Sequence, residues 1–147
     1  MVYRRVSTIS DLEEAFRIRK EVFVAEQGVP PEDEFDAFDS LDSSCEHILV
    51  YYQGRAVGTG RMRLVDGMGK FERICILKPY RSFGLGKVII HALETIARDK
   101  GIDLVKLHGQ THAEGFYKKL GYHAASDVFI EDGIPHVVMV KELAFEP

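Results

Sequence analysis

The chain has 147 residues, 46% of them hydrophobic, with 19 Lys and Arg against 23 Asp and Glu and a net charge of −4. That size and balance predict one globular domain over residues 1–147, with a core that needs neither disulfides nor metals. A mildly acidic chain without a Lys/Arg run argues against a nucleic-acid partner, and no apolar stretch reaches the roughly 18 residues of a bilayer span.

Residues 2–7 predict a short strand. Ser10-Asp11-Leu12-Glu13 reads as a capping box that opens a helix, and Gly28 stops that helix after Gln27. Between residues 32 and 42, six of eleven positions are acidic: Glu32, Asp33, Glu34, Asp36, Asp39 and Asp42. This run is either a solvated loop or an acidic rim that would favour a cationic substrate. Strands follow at residues 47–53, 56–65 and 70–77, joined by turns at Gly54-Arg55 and Asp66-Gly67. The third is apolar at most positions, so it belongs at the centre of the sheet.

Beyond residue 80 the periodicity changes. Leu85, Val88, Ile89, Ala92, Leu93 and Ile96 recur at helical spacing, and Gly101 closes that helix. A strand at residues 103–107, a short helix ending at Gly121, and strands near 123–130 and 136–143 complete the chain. A strand, helix, strand succession after residue 70 is a parallel βαβ unit, so the sheet is mixed. Cys45 and Cys75 make no disulfide framework, and the N-terminal residues lack the apolar segment of a secretion signal. A reduced, cytoplasmic protein is expected.

The most informative segment is Arg81-Ser82-Phe83-Gly84-Leu85-Gly86-Lys87, which joins the central strand to the long helix. Gly84 and Gly86 let a ligand touch backbone, and a helix N-terminus presents free N–H groups to an anion such as phosphate. A Walker loop would need Gly at Arg81, and a dinucleotide fingerprint would need Gly or Ala at Ile89, so neither applies. Glycines in a plain strand-to-helix turn are the alternative.

With that loop the chain resembles the GNAT N-acetyltransferases, whose pyrophosphate loop reads Arg/Gln-x-x-Gly-x-Gly/Ala. A second motif of the family, Asn-x-x-Ala-x-x-x-Tyr followed by Gly-Phe/Tyr, is matched by Gln110, Ala113, Tyr117, Gly121 and Tyr122. Gln110 replaces the usual Asn, and Ser82 stands where many members have Gly. The runs Arg19-x-x-Val22-Phe23-Val24-x-Glu26-Gln27 and Asp132-Gly133-Ile134-Pro135-His136 resemble the small bacterial ElaA-like branch. The fold so implied is α/β: a mixed, bent sheet of six to seven strands flanked by about four helices.

The resemblance implies acetyl-CoA as co-substrate, no metal, and a small-molecule or protein amine as acceptor, with a homodimer as an allowed assembly. Backbone at Ile74, Cys75 and Ile76 would pair with pantetheine, and Gln110 would contact the same arm. Residues Arg81, Ser82, Phe83, Gly84, Leu85, Gly86 and Lys87 would cradle the pyrophosphate. The Ile76 N–H would polarise the acyl carbonyl. Tyr117 would protonate the leaving thiolate; its alternative is a core aromatic. Glu72 would serve as base if its pKa is raised in a closed cleft; its alternative is pairing with Arg61, Arg63 or Arg73. Glu26, Gln27 and His136 are candidates for the acceptor pocket, against helix-end solvation for the first two and a structural role for His136. His108-x₃-His112 does not form a metal motif, because Gly109 and Gln110 break any helix between the two. Cys75 reads as buried and inert. A non-catalytic acyl-CoA sensor, or transfer with another acyl donor or acceptor, is the rival reading.

Overall fold

The computed structural model describes residues 3–143; Val2, the expected start of the first strand, lies outside the described residues. Strand β1 (Tyr3–Arg5) precedes helix α1 (Ile9–Arg19), which continues without a break into a π-helix, Lys20–Glu26. The cap of α1 is Thr8, whose hydroxyl accepts from the Asp11 N–H at 3.1 Å, so the helix begins ahead of the box expected at Ser10. Thr8 is extended (φ −126°, ψ 156°), which aims its side chain at the first turn. Gly28 ends the helical run in the left-handed region at φ 78°, as its position requires.

A short helix α2 (Pro31–Glu34) leads to the antiparallel strands β2 (Glu46–Tyr52), β3 (Arg55–Val65) and β4 (Met68–Ile76). Helix α3 (Leu85–Asp99) returns the chain to β5 (Leu104–Gln110), parallel to β4. Helix α4 (Glu114–Lys119) and strands β6 (His123–Ala124), β7 (Phe129–Glu131) and β8 (Ile134–Glu142) follow. The sheet runs β1-β2-β3-β4-β5-β8-β6, with β7 also on β8. Among the described residues it has eight strands, because the single strand expected near residues 123–130 is two. Between them Ala125 and Ser126 each bond to Val138, and β8 changes partners there.

The two faces of the sheet are covered differently. Toward α3 the β3 strand offers Gly58 and Gly60; a Cβ at Gly60 would sit 2.9 Å from Ile89, so the helix packs directly on backbone. Ile89, Ile90, Leu93 and Ile96 fill that layer, each 2% exposed or less. Arg61, between Gly60 and Met62, therefore points to the opposite face, where α1 lies.

That face holds Glu34, Asp36 and Asp39 of the acidic run, and for these three a solvated loop is not the outcome. Arg19 and Arg61 are each 1% exposed. Arg19 donates to Glu34 at 2.9 Å and to Asp39 at 2.6 Å; Arg61 donates to Asp36 at 2.8 Å, to Asp39 at 2.9 Å and to Glu72 at 3.1 Å. Two buried guanidinium groups need carboxylates around them, and residues 34–39 supply these. Glu34, Asp36 and Asp39 are thus a structural clamp, while Glu32, Asp33 and Asp42 remain at the surface.

Candidate active site

Strands β4 and β5 pair only at Gly69 with Val105, Lys70 with Lys106 and Phe71 with Leu107. Beyond that point β4 runs on to Ile76 beside β3 and β5 to Gln110 beside β8, but the two no longer pair with each other. A bulge in β4 marks the separation: Gly60 faces both Arg73 and Ile74, and Arg73 is left-handed at φ 56°. A bulge bends its strand, and a non-glycine residue in that conformation carries strain that its surroundings must hold. Glu34 does so, taking the Arg73 Nε on its carbonyl oxygen and on its carboxylate, each at 3.2 Å.

The separation exposes the edge of β4. The Leu77 N–H donates to Val57 on β3 at 2.9 Å, so the backbone of Ile76, one residue earlier, points away from β3 and into the gap. Its carbonyl accepts the Arg81 Nε at 2.8 Å. A cavity of about 430 Å³ fills the gap, lined among others by Ile74, Ile76, Gln27, Gln110, Tyr117 and His136.

The cavity passes through the sheet. On β5, Leu107 and Gly109 face α3 and α4, and the Tyr117 ring rests on Gly109, where a Cβ would lie 3.1 Å from it. His108 and Gln110 face the other way, with His136 of β8 in register opposite Gln110. Tyr117 is buried, and burial alone pushes its phenol up to about 12, so it is protonated at neutral pH. Beside α4 lies the N-terminus of α3: a Cβ on Gly86 would meet Phe116 at 3.1 Å. Gly84, at φ 75°, caps α3 without any side-chain hydrogen bond, so the first N–H groups of a 15-residue helix face outward.

Arg81 and Glu26 stand differently from the sequence expectation, because each binds the other. Leu85 is buried at 5% exposure, so only its backbone is available to a ligand. Phe83 is exposed and stacks on Tyr52 at 4.7 Å. Arg81 is engaged by Glu26 through two contacts of 2.6 Å, and the same bridge holds the Glu26 carboxyl below its usual range. Glu26 therefore ties the π-helix to the glycine loop. Gln27 accepts from Gln110 at 3.2 Å, spanning the cavity between the π-helix and β5. Ser82 is exposed on the loop and Lys87 in the first turn of α3, and Cys75 is buried in β4, its thiol pushed up by burial.

Glu72 requires a correction. Its raised pKa was the premise for a base, and the structure reverses it. Burial pushes the carboxyl up, but the hydrogen bond from Arg63 and the charges of Arg61 and Lys70 outweigh that and hold it at about 2. Arg63 lies at 2.9 Å, Arg61 at 3.0 Å and Lys70 at 3.0 Å. A carboxylate so stabilised has little affinity for a proton at neutral pH.

Two residues outside the candidate set stand in the cavity wall. His108 places Nδ1 2.9 Å from Glu131 Oε1, and Phe129 packs edge-on against its ring at 5.1 Å. Glu131 is held below its usual range, first by the His108 hydrogen bond. The period-2 alternation of β5 put His108 on the face of Gln110, and the Asp132-Gly133 turn put Glu131 opposite Ile134. Joining the two needed the pairing of β7 and β5 with β8, which local sequence does not reveal. His136, 7% exposed, gives Nδ1 to its own hairpin at the Ile134 carbonyl, 2.7 Å away.

A family model for the GNAT acetyltransferase domain matches residues 13–143. The uncharacterized protein YyaT of Bacillus subtilis is 56% identical over 144 residues, 98% of this chain and 97% of that one. Among solved structures, an acyl-CoA N-acyltransferase of Pseudomonas aeruginosa superposes with a TM-score of 0.84 at 26% identity, covering 96% of this chain and 99% of that chain. Escherichia coli ElaA superposes with a TM-score of 0.83 at 27% identity, covering 97% of this chain and 100% of that chain. The glycine loop at the head of α3, the Tyr117 motif after β5 and these likenesses lead to one conclusion: the chain belongs to the GNAT acetyltransferase family.

Proposed function

We propose that this acyltransferase moves an acetyl group from acetyl-CoA to a primary amine, by direct attack with both substrates bound. The observation that carries the reading is the open edge of β4 beside the uncapped N-terminus of α3, with a protonated phenol between them. In this reading the backbone of Ile74 and Ile76 pairs with pantetheine, and the N–H groups after Gly84 hold the pyrophosphate. Bound there, the thioester supplies an acyl carbon activated toward nitrogen. The Ile76 N–H donates to the acyl oxygen. Tyr117 donates its phenolic proton to the departing sulfur. The amine approaches from the face of Gln27, His108 and His136. A cytoplasmic location belongs to this reading, since Cys45 and Cys75 are both free and buried.

The test is calorimetric titration with acetyl-CoA, followed by release of CoA thiol with polyamines, aminosugars, amino acids and peptide N-termini. Micromolar binding with turnover on an amine is the expected result. Binding without turnover on any amine would leave an acyl-CoA sensor, and absence of binding would overturn the reading.

A further inference from the structure

The reaction needs an acceptor for the proton of an ammonium substrate, and the acceptor face of the cavity must provide it. From β4, Glu72 is held by Arg61, Arg63 and Lys70, and Arg73 is bound to Glu34 of α2. From β8, His136 spends Nδ1 on a backbone carbonyl, and its Nε2 stands 3.8 Å from Glu131. Beyond the end of β5, His112 gives Nε2 to Gln110 at 2.7 Å. From β5 itself, Lys106 shares the face of His108. The β7–β8 hairpin contributes Glu131 and, at its turn, Asp132.

Of these three histidines, His108 is the one with a carboxylate within hydrogen-bond distance of its ring. A carboxylate accepts hydrogen bonds only, so at 2.9 Å from Glu131 the proton of the neutral imidazole resides on Nδ1. That leaves the Nε2 lone pair for another partner. Phe129 packs against both His108 and His136, which fixes the ring plane. His108 lines the same cavity as Tyr117 but stands on the opposite face of β5. A base on one side of the sheet and an acid on the other is what direct attack across the gap requires.

We infer that His108 is the catalytic base of this site, its Nε2 taking a proton from the incoming ammonium, and that Glu131 is a positioning residue that holds the Nδ1–H tautomer. The inference rests on the amine-acetylation reading above. An ammonium has three N–H bonds and the product amide has one, so two protons must leave. His108 takes the first and passes it to solvent. The nitrogen lone pair then forms the C–N bond, the C–S bond breaks with its electron pair on sulfur, and Tyr117 protonates that sulfur. The second nitrogen proton restores Tyr117.

Two measurements on the full chain test this. The first needs no substrate: two-bond ¹H–¹⁵N correlation spectra of ¹⁵N-histidine protein should show His108 protonated at Nδ1 when neutral, with that preference lost in Glu131→Gln. A neutral His108 protonated at Nε2 would overturn the inference. The second follows CoA release with acetyl-CoA and the best of spermidine, glucosamine and L-lysine between pH 5.5 and 9.5. Wild type should show kcat/KM rising with pH to a plateau. His108→Gln should lose about 10²- to 10³-fold and show no plateau, with acetyl-CoA affinity retained. His136→Gln should keep the plateau whatever its KM.

If wild type turns over and His108→Gln matches it within about 3-fold at every pH, the base role is wrong while amine acetylation stands. If wild type binds acetyl-CoA but acetylates none of the three amines, the amine-acetylation reading fails first and the base role falls with it.

Discussion

Arg61 and Glu72 face each other across β3 and β4, with the Arg61 Nε donating to the Glu72 Oε1 at 3.1 Å, immediately before the bulge that parts β4 from β5. The pair fixes the strand at the point where the site begins. Glu72→Gln would leave Arg61, Arg63 and Lys70 with one compensating charge fewer in a buried setting. Removing one partner of such a pair typically costs about 3 kcal/mol. For a chain of this size that is a fall in Tm of about 10 °C, to be read by calorimetry. Below that temperature kcat/KM should fall less than about 10-fold. A loss of 100-fold in a folded variant would return the base role to Glu72.

The same pair sets an acid limit on stability. The Glu72 pKa lies at about 2 when folded, against an ordinary value of 4.5, and Asp36, hydrogen-bonded to Arg61, also lies at about 2. Both folded values are depressed, so both carboxylates stabilise the fold above their unfolded pKa values and lose that contribution as pH falls toward 2. Glu72 is the more buried, and its share is on the order of 3 kcal/mol. Urea midpoints should therefore be level from pH 7 to about 5 and fall steeply from 4.5 to 2. In Glu72→Gln that fall should be shallower. An equally steep fall in the variant would place the acid sensitivity elsewhere.

What the sequence made legible follows the range of each interaction. The glycine loop, the α3 periodicity and the hairpin turns at Asp66-Gly67 and Asp132-Gly133 are local patterns, and each lies where the pattern put it. The roles of Glu34, Asp36 and Asp39 were not legible, because a carboxylate run looks the same whether it meets water or a buried guanidinium. Arg19 and Arg61 lie 42 positions apart, and only the packing of α1 onto β3 makes them neighbours of Asp39. His108 and Glu131 were missed for the same reason: 23 residues separate them, and β8 must lie between their strands before they meet.

Tyr117→Phe removes one hydroxyl and keeps the ring contacts with Phe116 and Tyr122 at 5.1 and 6.1 Å. The fold and acetyl-CoA affinity should hold, while kcat falls about 10²-fold or more. Wild-type turnover in a folded Phe variant would make this residue a packing group. Gly109→Ala offers a second test, because its methyl would press on the same ring at 3.1 Å and shift the phenol without removing it.

Gly84→Glu should abolish acetyl-CoA binding. The position is left-handed at φ 75°, which strains any L side chain, although nothing lies within 4 Å of a Cβ there. Gly84→Ala carries the strain without the charge. If α3 receives a pyrophosphate, the Ala variant should weaken binding about 10-fold and the Glu variant well beyond that, because its carboxylate repels phosphate. Equal affinities for the two variants in a calorimetric titration would mean that no anion approaches this helix end.

The acidic run supplies the last prediction. An acidic rim would make capture of a cationic amine sensitive to salt and to the charge of residues 32–34. In the structure Glu34 is 3% exposed and bound to Arg19, so only Glu32 and Asp33 face solvent there. Glu32→Gln with Asp33→Asn should therefore leave both Tm and kcat/KM close to wild type. Asp39→Asn should act on the fold instead, because Asp39 bridges Arg19 at 2.6 Å and Arg61 at 2.9 Å. Leaving two buried guanidinium groups short of one carboxylate should lower stability by about 3 kcal/mol. Because Arg19 ends α1 just ahead of the π-helix that carries Gln27, loosening it should also raise the KM for amine more than it lowers kcat. A salt-dependent kcat/KM that disappears in the Glu32, Asp33 double variant would restore the rim, and an unchanged Tm in Asp39→Asn would remove the clamp.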